Sequence, residues 1–155
     1  MIQELHKYVD TDFALCTQWD GYVINPSAWT DEFLQWDYVA PVWWFNDNKN
    51  IGCGGFSLRS KKFLKVCSSL QIKNFHPEDL ILCRVYRTLL EQEGIKFAPE
   101  VLGRIFGHEG NAKVGVKWNG QFGWHDSEVT NLCNCKNKLT EQTIEDQYKY
   151  WGNKF

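Results

Sequence analysis

Apolar and polar positions change over in short stretches along this chain, with a long helical period only in its second half. Phe13-Ala14-Leu15-Cys16-Thr17-Gln18 is an apolar run that stops at Asp20-Gly21, which predicts a buried strand. Tyr22-Val23-Ile24 continues extended until Asn25-Pro26 turns the chain. Thr30 to Gln35 predicts a short helix, with Asp31 and Glu32 placed at the positive end of its dipole. Asp37 to Val42 is extended again and runs into Trp43-Trp44-Phe45. Asn46 to Asn50 is a polar loop. Gly52-Cys53-Gly54-Gly55 is too rich in glycine for regular structure, and Leu58 to Val66 has helical composition.

The strongest helix signal opens at Pro77, a residue suited to the first helical position, with Glu78 and Asp79 behind it. Ile81, Val85 and Leu89, with Leu82, Tyr86 and Leu90, make a wide apolar stripe that Gly94 ends. Between Lys113 and His125 the alternation becomes strand-like around Asn119-Gly120, a pair that favours a type I′ turn. That hairpin sets Trp118 opposite Gln121, Val116 opposite Gly123 and Val114 opposite His125, and turns Lys117 and Trp124 to the other face. Thr140 to Trp151 places Ile144, Tyr148 and Trp151 on one helical face. The chain lacks repeats and linkers, so the pattern predicts one α/β domain over residues 1–155.

Composition changes this picture in three ways. The 155 residues are 43% hydrophobic and 23% charged, which argues against disorder. Lys and Arg total 17 against 19 acids, a net charge of −2, so there is no basic field for a nucleic-acid backbone. The aromatic count is the unusual entry, with 8 Trp, 6 Tyr and 10 Phe; such rings fill cores and also make flat platforms for sugars. Six cysteines are present, but the acid-bearing stretch from Met1 to Asp12 has no signal-peptide core, so reduced thiols in a soluble, cytoplasmic protein are expected. Cys133-Asn134-Cys135 has no second pair at a zinc-site spacing. No apolar run reaches the roughly 18 residues needed to span a bilayer.

Several residues carry candidate chemistry. Asp20 follows a strand and precedes a glycine, where open α/β sheets place ligand-binding groups; it suits a divalent cation, or simply an Asp-Gly turn. Gly52, Gly54 and Gly55 make either a tight packing loop or one whose backbone amides approach a ligand, with Ser57 and Arg59 at the edge; they match neither a P-loop nor a dinucleotide fingerprint. Glu78 and Asp79 either complement a helix dipole or supply a general base. His125 suits Mn, Fe or Zn, while His76 and His108 have no pattern around them.

Taken in order, Gln18-Trp19-Asp20-Gly21, Trp36-Asp37-Tyr38, Gly54-Gly55-Phe56-Ser57-Leu58-Arg59-Ser60, Glu78-Asp79 and Phe122-Gly123-Trp124-His125 resemble a family of glycosyltransferase-like domains related to the GT-A glycosyltransferases. The resemblance covers residues 13–126. It implies a truncated GT-A-like mixed sheet flanked by helices, lacking most of the N-terminal nucleotide-binding βαβ half, since about a dozen residues precede the first strand. It further implies a metal-dependent glycosyltransferase that uses a UDP-linked sugar, Mn²⁺ (or Mg²⁺) and a glycan or other hydroxyl acceptor. Asp20 and His125 take the metal. Asp79, with Glu78, takes the catalytic place for an inverting reaction. Trp19, Gly54, Gly55, Phe56, Ser57, Arg59 and Trp124 line the donor and acceptor sites. Gln18 stands where a full Asp-X-Asp motif has its first acid. The short front half leaves three readings: a minimal enzyme gripping diphosphate and sugar, a homodimer that completes the site, or a non-catalytic nucleotide-sugar- or carbohydrate-binding module.

Overall fold

A computed structural model describes residues 3–45, 47–72, 76–110 and 118–126. Lys117, the Cys133–Cys135 pair and the expected helix over 140–151 lie outside them. The architecture is mixed α/β, with two three-stranded sheets and four α-helices among the described residues. In the first sheet β4 (Phe56–Ser60) is central, antiparallel to β1 (Phe13–Thr17) on one side and to β3 (Tyr38–Val39) on the other. All five residues of β4 are buried. The helix expected from Leu58 therefore begins later, as α1 (Lys61–Ser69), where the Ser60 hydroxyl caps it by accepting from the Phe63 amide at 2.9 Å. Ser57 and Arg59 disguise the strand, because polar residues alternate with Phe56 and Leu58 as on a half-wet strand, yet both faces are covered. β1 is also corrected: it is an edge strand, not a buried one, and Leu15 is 38% exposed.

The second sheet places β6 (Gly123–His125) between β2 (Gly21–Val23), antiparallel to it, and β5 (Gly107–Glu109), parallel to it. The predicted hairpin is thereby overturned at Gly123 and His125, whose neighbours on both sides are β2 and β5. Residues 114–117 are not among those described. The Asn119-Gly120 bend itself is present, with Gly120 at φ +111°.

Thr30 caps a 3₁₀ turn over Asp31–Gln35 in place of the expected short helix. The strong helical signal after Pro77 resolves into α2 (Glu78–Leu80), a π-turn over Ile81–Val85 and α3 (Arg87–Gln92). The Tyr86 amide donates to the Ile81 carbonyl at 2.8 Å, one residue further back than in an α-helix. That extra residue turns the expected stripe: Ile81, Leu82, Cys83 and Leu90 are buried, while Val85 is 72% exposed. Leu82→Ala is accordingly expected to cost about 2–5 kcal/mol and Val85→Ala less than about 0.5 kcal/mol. Denaturant unfolding checks this, and comparable losses would contradict the π register.

α4 (Glu100–Phe106) leads directly into β5. Ten aromatic residues among those described are buried. The ring of Phe106 sits 5.1 Å from Phe33, 5.2 Å from Phe56 and 5.7 Å from Phe122, and Tyr38 lies 5.0 Å from Phe63. A smaller apolar cluster joins Tyr22, Ile24 and Trp124 beneath the second sheet. Phe56 lies against Gly123, where an added side chain would collide with its ring, so the two sheets meet at that point. No helix among the described residues is long and apolar enough to cross a membrane.

Candidate functional site

Strand register alone brings four candidate residues together where the sheets meet. Thr17 pairs with Phe56, so the turn after β1 lies beside the glycine loop before β4. Within that turn the Gly21 amide donates to the Gln18 carbonyl at 3.0 Å, which makes Asp20 a turn residue as well as a site residue. Gly21 in turn pairs with His125, and His125 pairs with Glu109 on β5. Asp20, Gly55, His125 and Glu109 thus converge from four separate segments. Gly55 packs so closely on the His125 imidazole that an added Cβ would come within 2.6 Å of Cε1 and closer still to Nε2.

The two nitrogens of His125 have different surroundings. Nδ1 lies 2.8 Å from Glu109 Oε2 and 3.3 Å from Cys53 Sγ. Nε2 faces Asp20 Oδ1 at 3.4 Å, and both of these atoms are buried without a hydrogen-bond partner. Burial works against a charge on the ring, but the hydrogen bond and charge of Glu109, together with Asp20 and Asp126, outweigh it and hold the imidazole above its ordinary value. An ionised Glu109 only accepts, so in the neutral ring the proton sits on Nδ1 and the Nε2 lone pair points at Asp20. Two ligand atoms bound at about 2.1 Å to one ion stand about 3.0–3.4 Å apart. The Asp20–His125 pair fits a divalent cation on that count.

Hydrogen bonds hold the glycine loop along its length. Burial pushes the Tyr38 phenol well above its ordinary value, and its hydroxyl donates to the Cys53 carbonyl at 3.1 Å. The Gly54 amide donates to Asp79 Oδ2 at 3.0 Å, and the Gly55 carbonyl accepts from the Gln18 amide at 2.8 Å. A Cβ on Gly54 would lie 2.8 Å from Glu78 Oε2, so glycine there is what lets the loop touch the acidic pair. Asp79 Oδ1 also accepts from the Leu80 amide at 2.9 Å. Its carboxylate is oriented by two backbone donors.

Other expected site residues have structural roles. Arg59 is 2% exposed and forms an ion pair with Glu78, which makes Glu78 its counter-ion. Arg59 Nε also donates to Ser57 Oγ at 2.9 Å, which occupies that hydroxyl inside the protein. Phe56 is fully buried. Trp124 is 2% exposed and stacks on His108 at 4.2 Å, so it is no surface platform. Trp19, at 62% exposure, is the open ring next to Asp20. His76 is exposed, whereas burial pushes the His108 imidazole down against the opposing charges of Asp126 and Glu109.

Sequence reading missed Glu109 and the thiol of Cys53. Glu109 ends the three-residue strand Gly107–Glu109, too short for any period, and only its pairing with His125 gives it meaning. Cys53 was visible only as a member of the glycine cluster.

The fold and site define a mixed α/β domain with a half-buried histidine between buried carboxylates at the junction of two small sheets. The chain belongs to the family described as "Protein of unknown function (DUF5672)", whose model matches residues 3–125. No curated protein and no solved structure matches it.

Proposed function

We propose that the chain is a metal-dependent glycosyltransferase of GT-A type, transferring a sugar from a UDP-linked donor to a hydroxyl acceptor. The observation that carries this reading is the pair of unpartnered, buried ligand atoms, Asp20 Oδ1 and His125 Nε2, facing each other across 3.4 Å. A bound Mn²⁺ or Mg²⁺ would supply charge stabilisation to the departing diphosphate. Asp20 and His125 hold the ion, and Glu109 fixes the histidine from behind. Gly54 and Gly55 leave room for Glu78, Asp79 and the His125 imidazole to close on the loop, which sets the proposed base and metal ligand beside each other. Trp19 offers its exposed face to a sugar ring. The acceptor oxygen bonds to the anomeric carbon, the bond from that carbon to the diphosphate breaks, and Asp79 takes the hydroxyl proton. The same reading makes the protein a cytoplasmic homodimer, paired through the outer edge of β1, which has no strand partner among the described residues.

UDP release from UDP-glucose or UDP-galactose with Mn²⁺ tests the activity. Thermal stabilisation by UDP and Mn²⁺ with no turnover would favour a non-catalytic binding module instead. Asp79→Asn is expected to lower transfer by about 10²–10⁴-fold while nucleotide binding persists; retained turnover removes the base assignment. Asp20→Ala is expected to abolish Mn²⁺-dependent UDP binding, and an unchanged Mn²⁺ titration would end its metal role.

A further inference from the structure

We propose that Cys53, Glu109 and His125 form a binding site for a zinc-class cation on the Nδ1 side of the imidazole, and that filling it disables the Asp20–His125 pair as a site for a harder ion. One ligand atom from each of the three residues lies within 4.8 Å of the other two. Cys53 Sγ is 3.3 Å and Glu109 Oε2 2.8 Å from the same ring nitrogen. Thiolate, imidazole and carboxylate together suit Zn²⁺ or Co²⁺, whereas Mn²⁺ and Mg²⁺ prefer oxygen.

The triad is built rather than incidental. Its members come from a loop and two strands, and Cys53 and Glu109 are 1% and 8% exposed. Cys53 adopts φ 91°, a left-handed conformation that non-glycine residues seldom take, and the Tyr38 hydroxyl holds its carbonyl.

Proton placement sets the competition. A neutral imidazole has a single lone pair available to a metal, on the nitrogen without the proton. Zinc binding releases the Cys53 thiol proton to solvent and uses the Nδ1 lone pair, so the ring proton moves to Nε2. There it donates toward Asp20 Oδ1, and Nε2 no longer has a lone pair for a second ion. The ligand triad stands on its own geometry; the mutual exclusion rests on the proposed Asp20–His125 metal site.

The test uses the full chain freed of metal by chelation, with Co²⁺ as the optical probe. A thiolate-to-cobalt charge-transfer band is expected, displaced by one equivalent of Zn²⁺ and absent in Cys53→Ser. No band in the unaltered protein, or a band that survives in Cys53→Ser, overturns the site. Glu109→Gln keeps the thiol and is expected to weaken cobalt binding by about 10-fold or more; unchanged binding also overturns it. Mn²⁺ titration followed by electron paramagnetic resonance then reads the exclusion. One equivalent of Zn²⁺ is expected to weaken Mn²⁺ binding at least tenfold in the unaltered protein and to leave it unchanged in Cys53→Ser. Equal Mn²⁺ binding with and without Zn²⁺ overturns the exclusion. A cobalt–thiolate band in a protein that binds no Mn²⁺ at all would remove the donor-metal reading and leave the zinc site in place.

Discussion

Glu78→Ala is expected to remove about 3–5 kcal/mol of folding stability, a large share of what a domain of this size has. Glu78 is the charged partner of Arg59, whose guanidinium is 2% exposed and lies 5.5 Å from the Tyr38 ring. Its remaining contacts are the Ser57 hydroxyl and the Gly54 carbonyl, and neither carries a charge. Removing the carboxylate leaves a buried cation with no counter-ion, which costs far more than the lost attraction itself. The double variant Arg59→Met, Glu78→Leu is expected to recover most of the loss, because apolar groups of similar volume need no compensation there. Urea unfolding reads both as midpoint shifts at constant slope. A Glu78→Ala protein as stable as the original but inactive would instead make Glu78 a catalytic group. The pair also positions the site: Arg59 reaches the Gly54 carbonyl while Glu78 opens the helix that carries Asp79.

The same ion pair explains why β4 was hard to read. A buried arginine in a strand looks like a solvent-facing position until its partner, nineteen residues away, is known. Signals confined to a few neighbouring residues were legible: the end of β1, the Asp20-Gly21 turn and the Asn119-Gly120 bend. Features decided by distant partners were not. β6 reads as half of a hairpin, yet its neighbours come from Gly21–Val23 and Gly107–Glu109. The π-turn leaves no mark on the apolar period before it, so the stripe through Val85 and Leu89 looked continuous. α4 spans Glu100–Phe106, barely two turns, and β5 follows without a break.

At the site, Asp20 and His125 were legible through the order of motifs along the chain. The resemblance places Trp124 among the residues that line the ligand site, but consecutive strand residues face opposite sides. His125 therefore looks into the loop while Trp124 joins Tyr22 and Ile24 in the core. Adjacency in sequence separated the two residues in space, and pairing across β5 and β6 supplied Glu109 in place of the tryptophan.

Gly55→Ala carries the second large effect, this time on function. The added methyl would lie inside the imidazole's contact surface, next to the Nε2 atom that faces Asp20. The loop has nowhere to retreat. The Gly55 carbonyl accepts from the Gln18 amide and abuts Gly21, where even a Cβ would collide with it. The histidine must move, and moving it breaks the 2.8 Å contact with Glu109 as well as the approach to Asp20. On the proposed glycosyltransferase reading, metal-dependent UDP binding is expected to weaken by about 10–100-fold, the range seen when groups that orient a metal ligand are altered. Stability is expected to fall by about 1–3 kcal/mol, since buried Glu109 is left short of a partner. A double-variant cycle isolates the route. If the methyl acts through the ring, Gly55→Ala adds nothing to the binding defect of His125→Ala, because the ring it displaces is already gone. A further additive loss in the double variant would mean that the loop backbone itself holds the diphosphate, and that Gly55 is glycine for the ligand's sake as much as for the histidine's.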